Sequence, residues 1–317
     1  MKIGIVTPAP AQSRYGNRVT ALRWARILKK LGHRVTIDQN YSGKQLDLLI
    51  ALHARRSFTS IERFHREHPD SPIIVALTGT DLYPDLSVNQ LARKSLDLAS
   101  RIVVLQPKAM EELRVRWREK ARVIYQSAAR SVVSQAAPSR RGFNVCVIGH
   151  LRPVKDPFRA AMAARLLPPS SRVRVFQIGG AMTERAAARA REEERINPRY
   201  RWLGEQPPWR VRSVLAESRV CVLSSRIEGG ANALGEAIVA GVPVLASRIP
   251  GSVGILGESY PGYFEAGDTS GLAELLARAE TDSKFLRTLE QHCENLMQLF
   301  KPAREEEAWA TLLDEIS

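Results

Sequence analysis

Apolar and polar positions follow two alternating patterns along the chain. Short apolar runs, typical of buried strands, are each followed by a longer stretch in which apolar residues recur every three or four positions, as in an amphipathic helix. The first such pair is a strand over residues 3–6 and a helix that ends near Leu31, where Gly32 stops it. The repeated alternation predicts an α/β protein built on open, doubly wound sheets.

The same patterns predict most of the later elements. Strands are expected at residues 35–38, 46–52, 73–77, 102–105, 143–148, 173–178, 200–203, 220–223 and 242–246. Helices are expected at residues 107–120, 182–195, 209–218, 270–279, 283–300 and 302–316, with a glycine-rich loop at 250–262. Residues 128–142 are rich in Ala, Ser, Gln and Arg and indicate a linker, so we expect one domain over 1–139 and a second over 140–301.

One strand, turn and helix stands out at residues 224–241. Glu228 and Glu236 bracket the turn, and we expect Glu236 in the first turn of the helix, where the helix dipole favours an acid. Asn232 is the expected N-cap. Three small residues leave backbone N–H groups open to an anion or a sugar oxygen: Gly229, Gly230 and Ala231. A capped helix with two solvated acids is the alternative interpretation.

Charge is the unusual feature of the composition. The 317 residues carry a formal net charge of +14, and residues 1–139 hold 23 basic against 11 acidic side chains. Such an excess suits nucleic acid, an anionic membrane or small phosphorylated ligands, or it is simply an arginine-rich surface. We do not expect nucleic acid as a partner, because no zinc-finger spacing or aromatic RNA-binding motif accompanies the cations.

Other features limit the location and the cofactors. Three widely spaced cysteines, two of them in apolar runs, indicate reduced thiols in a cytoplasmic protein. No uncharged stretch is long enough for a membrane span. No Asp-x-Asp occurs, so we expect neither a metal nor another cofactor.

Polar residues and glycines follow several of the predicted strands, where ligands bind in open α/β sheets. In the first half they are Gly16, Asn17, Arg18, His53, Arg55, Arg56, Thr78, Thr80 and Asp81. In the second half they are Gly149, His150, Arg152 and Lys155. A lone histidine such as His53 is more often structural than catalytic, and basic residues at a helix start are disfavoured by the dipole unless an anion binds there.

The Glu-x7-Glu stretch, followed by Ala-Gly-Val-Pro-Val at 240–244, resembles the donor-binding signature of GT-B glycosyltransferases of the family 4 type. Lys155 keeps the spacing from Gly149 of that family's phosphate grip, with His150 at the family's arginine position. The resemblance implies two Rossmann-like domains facing a central cleft, with a C-terminal helix at 302–317 crossing back to the first. It also implies that Glu228 holds the donor sugar and Glu236 the nucleotide ribose.

The remaining donor contacts implied by this resemblance are Gly16, Gly149, His150, Arg152, Lys155 and residues 229–232. We expect the diphosphate to lie on Arg152 and Lys155, and catalysis to depend on these two residues together with Glu228 and His53. The turn Thr78-Gly79-Thr80-Asp81 resembles the family's His-Gly-x-Asp, with threonine in place of histidine.

Five segments resemble, more closely, the selenosugar synthases of selenoneine biosynthesis. They are residues 7–10, 16–25, 52–57, 76–83 and 228–232. This resemblance implies a UDP-sugar donor, UDP-N-acetylglucosamine or UDP-glucose, and selenophosphate as acceptor. The expected acceptor-binding residues are Asn17, Arg18, His53, Arg55, Arg56, Thr78, Thr80 and Asp81. A family 4 enzyme acting on a hydroxyl acceptor and, in another class, a basic nucleic-acid-binding protein are the alternatives.

Overall fold

The computed structural model describes residues 1–129 and 142–316. The chain divides into two compact units. The first comprises Met1–Ser127, Glu228–Gly230 and Lys301–Ser317, and the second comprises Ala128–Ile227 and Ala231–Phe300. The predicted boundary at residue 139, and most of the linker predicted around it, lie outside the described residues.

The described part of the first unit contains a six-stranded parallel sheet with the strand order β2-β1-β3-β4-β5-β6. The strands are β1 Lys2–Val6, β2 Arg34–Asp38, β3 Leu48–Leu52, β4 Ile73–Ala76, β5 Arg101–Val104 and β6 Ala121–Val123. Every residue of β3 is buried, which is why this strand is a continuous apolar run without polar alternation. β6 was not predicted, since it has three residues and only one of them is fully buried.

Helices cover both faces of this sheet. They are α1 Gly16–Lys30, α2 Phe58–Glu67, α3 Asp85–Val88, α4 Gln90–Leu98 and α5 Val115–Arg118. The helix expected over residues 107–120 is wrong: a 3₁₀ turn over Pro107–Glu112 precedes α5, and Leu113 and Arg114 are extended between them. The Arg118 guanidinium donates to the carbonyls of Leu113 and Glu111, which satisfies the acceptors that the break exposes.

The helix α13 Pro302–Asp314 packs on α1 within the first unit, as the predicted fold requires. The Trp24 and Trp309 rings meet edge to face with centroids 4.8 Å apart. The Trp24 indole N–H donates to Glu305 Oε1 at 2.9 Å, and the Ser127 N–H donates to Glu305 Oε2 at 2.8 Å. Glu305 is only 2% exposed, so these bonds replace the water that its carboxylate loses on burial.

The described part of the second unit has its own six-stranded parallel sheet, in the order β12-β11-β10-β7-β8-β9. Its strands are β7 Phe143–Ile148, β8 Val173–Ile178, β9 Tyr200–Trp202, β10 Val220–Leu223, β11 Val244–Ser247 and β12 Tyr263–Phe264. Its helices are α6 Arg159–Arg165, α7 Glu184–Ile196, α8 Pro208–Ala216, α9 Asn232–Val239, α10 Pro250–Leu256, α11 Thr269–Thr281 and α12 Ser283–Leu296, and a 3₁₀ turn follows over Met297–Phe300.

The loop expected over residues 250–262 is partly wrong, because its first half is the helix α10. Pro250 occupies the first helical turn, where its missing N–H and fixed φ are favourable. Gly251 and Ser252 are buried against the rest of the unit, so small residues serve packing here and not chain flexibility.

Parallel pairing brings the carboxyl ends of the strands to one edge of each sheet. The three cysteines are unpaired and buried, two of them opposite each other on β7 and β10. None of the described helices is both long enough and apolar enough to cross a membrane.

Candidate active site

His53 directly follows β3 and has an unusual backbone conformation. It is 3% exposed, and its φ of 73° is a left-handed value that few residues other than glycine adopt. The Arg56 N–H donates to His53 Nδ1 at 3.4 Å, so Nε2 carries the proton and donates to Thr80 Oγ1 at 3.1 Å. Burial lowers the pKa of His53, although the charge of Asp81 opposes this. The side chain is therefore a neutral imidazole with both nitrogens engaged.

Asp81 joins the loops that follow β3 and β4. Its carboxylate is fully buried, and Oδ1 accepts the N–H groups of Thr78 and Gly79, each at 2.9 Å. Oδ2 accepts the Ala54 N–H at 2.9 Å. Three charge-assisted bonds to backbone N–H groups hold both loops in register. The structure thus brings together His53, Thr78, Thr80 and Asp81 at one edge of the first sheet.

Gly229 and Gly230 lie against this edge with no room for side chains. A Cβ atom on Gly229 would stand 2.6 Å from Gly79 N and from Thr78 O, and one on Gly230 would overlap Leu105 Cβ. Conversely, a Cβ atom on Gly79 would lie 2.9 Å from Gly229 N. The glycines therefore serve the close approach of two backbone segments. Glu228, which precedes them, is buried.

Tyr83 and Gln106 also belong to this edge and were not predicted. Gln106, fully buried just after β5, accepts the Ala109 N–H through Oε1 and donates through Nε2 to Tyr83 Oη at 2.9 Å. Burial, together with the nearby charges of Glu112, Glu111 and Glu228, raises the pKa of Tyr83. A polar residue directly after a buried strand was the available signal for Gln106.

The remaining residues predicted in the first half are less tightly held. Gly16, Asn17 and Arg18 form the first turn of α1, and Arg18 Nε is buried with no hydrogen-bond partner among the described residues. Arg55 Nε lies 3.0 Å from Asp85 Oδ2, so its charge is already paired within the unit. Arg56 is exposed.

In the second unit, the segment after β7 carries Gly149, His150, Arg152 and Lys155. The Gln177 amide donates to the Gly149 carbonyl at 2.9 Å, and Gly149 N donates to Ile178 O at 2.8 Å. A Cβ atom on Gly149 would lie 3.8 Å from Lys155 Cγ and Cδ, so the lysine stem passes over this glycine. Arg152 is the N-cap of a 3₁₀ turn over Pro153–Lys155, and Lys155 is the last residue of that turn.

The end of β10 holds this segment from the other side. Ser224 Oγ donates to the carbonyls of Lys155 and Asp156, at 3.2 Å and 2.9 Å. The Arg226 N–H donates to the Val154 carbonyl at 2.8 Å. Because β7 and β10 are neighbours in the sheet, the residues that follow these two strands lie side by side and are hydrogen-bonded to each other.

The helix α9 corrects two details of the sequence interpretation. It begins at Asn232 itself, so the N-cap is Ala231, which has no side chain able to cap it. Glu236 consequently lies in the second turn of α9 and not the first. Its charge adds to burial in raising the pKa of Cys221 to about 12, which places the carboxylate near β10. Across the described residues, no three His, Cys, Asp or Glu side chains are grouped to hold a metal ion.

Residues 135–295 match the family model described as glycosyl transferases group 1. The chain belongs to this family. The match spans the whole of the second sheet, including the Lys155 turn and the Glu228–Glu236 stretch. No curated protein matches the chain.

Solved structures are similar over nearly the full length. HepE from Anabaena in complex with UDP-glucose is 15% identical, with 99% of this chain and 100% of that one covered and a TM-score of 0.79. Sucrose-phosphate synthase from Thermosynechococcus elongatus is 15% identical, with 99% of this chain and 98% of that one covered and a TM-score of 0.79. The E. coli structure described as trehalose-6-phosphate bound with UDP-2-fluoro glucose is 11% identical. It covers 100% of this chain and 99% of its own, with a TM-score of 0.74. At these identities the likeness establishes the fold, which is GT-B, and the prediction of a GT-B glycosyltransferase is confirmed.

Proposed function

We propose that this glycosyltransferase uses a UDP-sugar, UDP-N-acetylglucosamine or UDP-glucose, and transfers the sugar to selenophosphate. The selenium lone pair forms the bond to the anomeric carbon while the bond from that carbon to the diphosphate oxygen breaks. The oxygen keeps the electron pair and leaves as UDP. The donor class is supported by two similar structures, HepE with UDP-glucose and the E. coli protein with UDP-2-fluoro glucose.

The second unit provides the groups for the leaving diphosphate. As the glycosidic bond breaks, negative charge grows on the diphosphate, and preorganised cations stabilise that charge most in the transition state. Lys155 and Arg152 have this role in the proposal, since Arg152 caps and Lys155 ends a 3₁₀ turn that is held by Ser224 and Arg226. Glu236 binds the ribose and Glu228 the sugar hydroxyls.

The choice of acceptor in this proposal is based on the acid–base groups of the first unit, which are already hydrogen-bonded. His53 has both ring nitrogens engaged, and both oxygens of Asp81 accept backbone N–H groups. Thr78 occupies the position where related sequences have histidine, and a hydroxyl is a poor base. This arrangement favours an acceptor that is already an anion, and selenophosphate is one. The sequence resemblance to selenosugar synthases supports the same choice.

The test is incubation of the purified protein with UDP-N-acetylglucosamine and selenophosphate, with product analysis by mass spectrometry. We expect a selenium-containing sugar and release of UDP. The matched variants are Lys155→Ala, which should lose the product, and Lys94→Ala, an exposed lysine of α4, which should retain it.

Parallel incubations replace selenophosphate with orthophosphate or with simple alcohols. An alcohol glycoside without any selenosugar would contradict the acceptor and favour the hydroxyl-acceptor alternative. Absence of UDP release with every acceptor and with water would contradict the donor.

A further inference from the structure

Asp156, the residue after Lys155, has a left-handed backbone. Its φ and ψ are 43° and 54°, and apart from His53 it is the only non-glycine residue with positive φ in the described part of the chain. This conformation ends the 3₁₀ turn and redirects the chain into α6. A non-glycine residue stays in this region only when its surroundings hold it there.

Arg159 provides that restraint. Its Nε and Nη2 atoms donate to Asp156 Oδ2 at 3.0 Å and 2.8 Å, and its Nη1 donates to Thr269 Oγ1 at the start of α11. Both side chains are largely buried, at 11% and 15% exposed. Arg159 is the first residue of α6, where the helix dipole disfavours a cation. A buried arginine in this position therefore depends on the Asp156 carboxylate.

We infer that Asp156 and Arg159 are positioning residues that preset Lys155 for the diphosphate, an inference that rests on the proposed function of Lys155. We call this pair the clasp. The clasp fixes the peptide on the carboxyl side of Lys155, and Ser224 fixes the carbonyls of Lys155 and Asp156. Lysine has a long flexible side chain, so a rigid backbone at its base reduces the ordering that binding would otherwise require.

The clasp also connects the Lys155 turn to a second loop. A Cβ atom on Gly267 would lie 3.9 Å from Nη2 of both Arg159 and Arg226, and Arg226 Nε lies 3.8 Å from Asp156 Oδ2. The loop before α11 therefore borders the same guanidinium groups. Loss of the clasp should loosen both loops while leaving the sheet intact.

The test measures UDP affinity by titration calorimetry in four proteins. They are the wild type, Lys155→Ala, the double variant Asp156→Gly/Arg159→Met, and the triple variant that combines all three changes. The double variant removes both charges, which avoids a buried unpaired arginine, and glycine accepts the left-handed backbone. We expect Lys155→Ala to weaken UDP binding about ten-fold or more, and the double variant to weaken it about five-fold.

The triple variant distinguishes a positioning role of the clasp, which acts through Lys155, from a general structural role. If the clasp acts through Lys155, the triple variant binds UDP as Lys155→Ala does, within about two-fold, because the clasp has nothing left to position. A purely structural role would multiply the two losses. The control is Arg165→Met/Glu193→Gln, an ion pair at the other end of α6, which should lower the unfolding temperature and leave UDP affinity unchanged.

The outcomes separate the inference from the proposed function. Weaker binding in Lys155→Ala, with wild-type affinity in the double variant or with multiplied losses in the triple variant, overturns the clasp and leaves the donor role of Lys155 standing. Unchanged UDP affinity in Lys155→Ala overturns both.

Discussion

The two units have the same kind of sheet but use their carboxyl edges differently. By sequence halves the charge looked unequal, yet the folded units are matched: the first holds 24 basic and 17 acidic residues and the second 23 and 16, a net +7 in each. The difference arises chiefly because residues 301–317, which carry five acidic and two basic side chains, belong to the first unit, and Glu228 belongs to it as well. Net charge along a chain is therefore a poor guide to charge at a site when distant segments fold together.

Cations have acidic partners in both units. In the first unit, Arg101 and Arg122 both contact Glu315 of the C-terminal segment, and Arg55 pairs with Asp85. In the second unit, the segment carrying Arg152 and Lys155 is fixed chiefly through its backbone. We propose that the second unit stabilises the charge of the leaving diphosphate, and that the acceptor binds at the closely packed edge of the first unit.

The largest expected effect is on turnover when a cation of the second unit is removed. Lys155→Ala should lower kcat about 100-fold or more, because it removes a partner for charge that grows in the transition state. His53→Asn should cost about ten-fold or less, since both ring nitrogens of His53 are already hydrogen-bonded and the proposed anionic acceptor needs no base. Steady-state assays of UDP release measure both, and the reverse order of effects would break the comparison.

Gly229→Ala should produce the next largest effect. Its Cβ atom would lie 2.6 Å from Gly79 N and from Thr78 O, so one backbone segment must move, and we expect turnover to fall about ten-fold with a lower unfolding temperature. Gly142→Ala is the control, because its nearest neighbour would be at an ordinary 3.5 Å. Equal behaviour of the two variants would show that the close packing at the first edge is unimportant.

Glu236→Ala should act on binding rather than on turnover. Ribose contacts are made equally in the ground and transition states, so donor KM should rise about ten-fold while kcat changes by about two-fold or less. Kinetics at varied donor concentration separate the two terms. Loss of kcat at saturating donor would contradict the role given to Glu236.

His53 predicts a smaller effect, on stability. Its folded-state pKa is lowered by burial, so the unfolded chain binds more protons as pH falls below the ordinary histidine value of about 6.5. Stability should therefore decrease as pH falls through that value. His53→Asn, which tolerates the left-handed backbone, should show a shallower decrease in unfolding temperature. Identical pH profiles would mean that His53 is not held neutral.

The last prediction is that removal of metal ions does not change the rate. If cations neutralise the diphosphate, excess EDTA should leave the rate of UDP release unchanged. Activity that disappears with chelator and returns with magnesium or manganese would contradict this prediction.

Ten of the twelve described strands were predictable because each is a local apolar run, whereas β6 and β12 are only three and two residues long and were missed. The all-buried run of β3 and the strand, turn and helix around Glu228 are both contiguous in the chain. α10 was missed since proline and glycine are typical of loops, and only burial shows that Gly251 packs inside a helix.

The site was less predictable, for a physical reason. Gly229 was interpreted as open backbone for a ligand, whereas its size is required by Thr78 and Gly79, which lie far away in sequence. The pairing of Arg55 with Asp85 and the position of Tyr83 likewise depend on loops that meet only after folding. Motif spacing indicates which residues gather at an edge, but not which of their atoms are already engaged.

The C-terminal helix has a consequence for how the protein is made. Trp309, Leu312 and Leu313 complete the core that Ile3 and Trp24 begin, and the whole second unit is synthesised between them. During synthesis on the ribosome, part of the apolar surface of the first unit therefore stays exposed until residues 302–314 emerge. Translation that stops before this helix would thus leave the N-terminal half, and not the part of the chain nearest the stop, without its finished core.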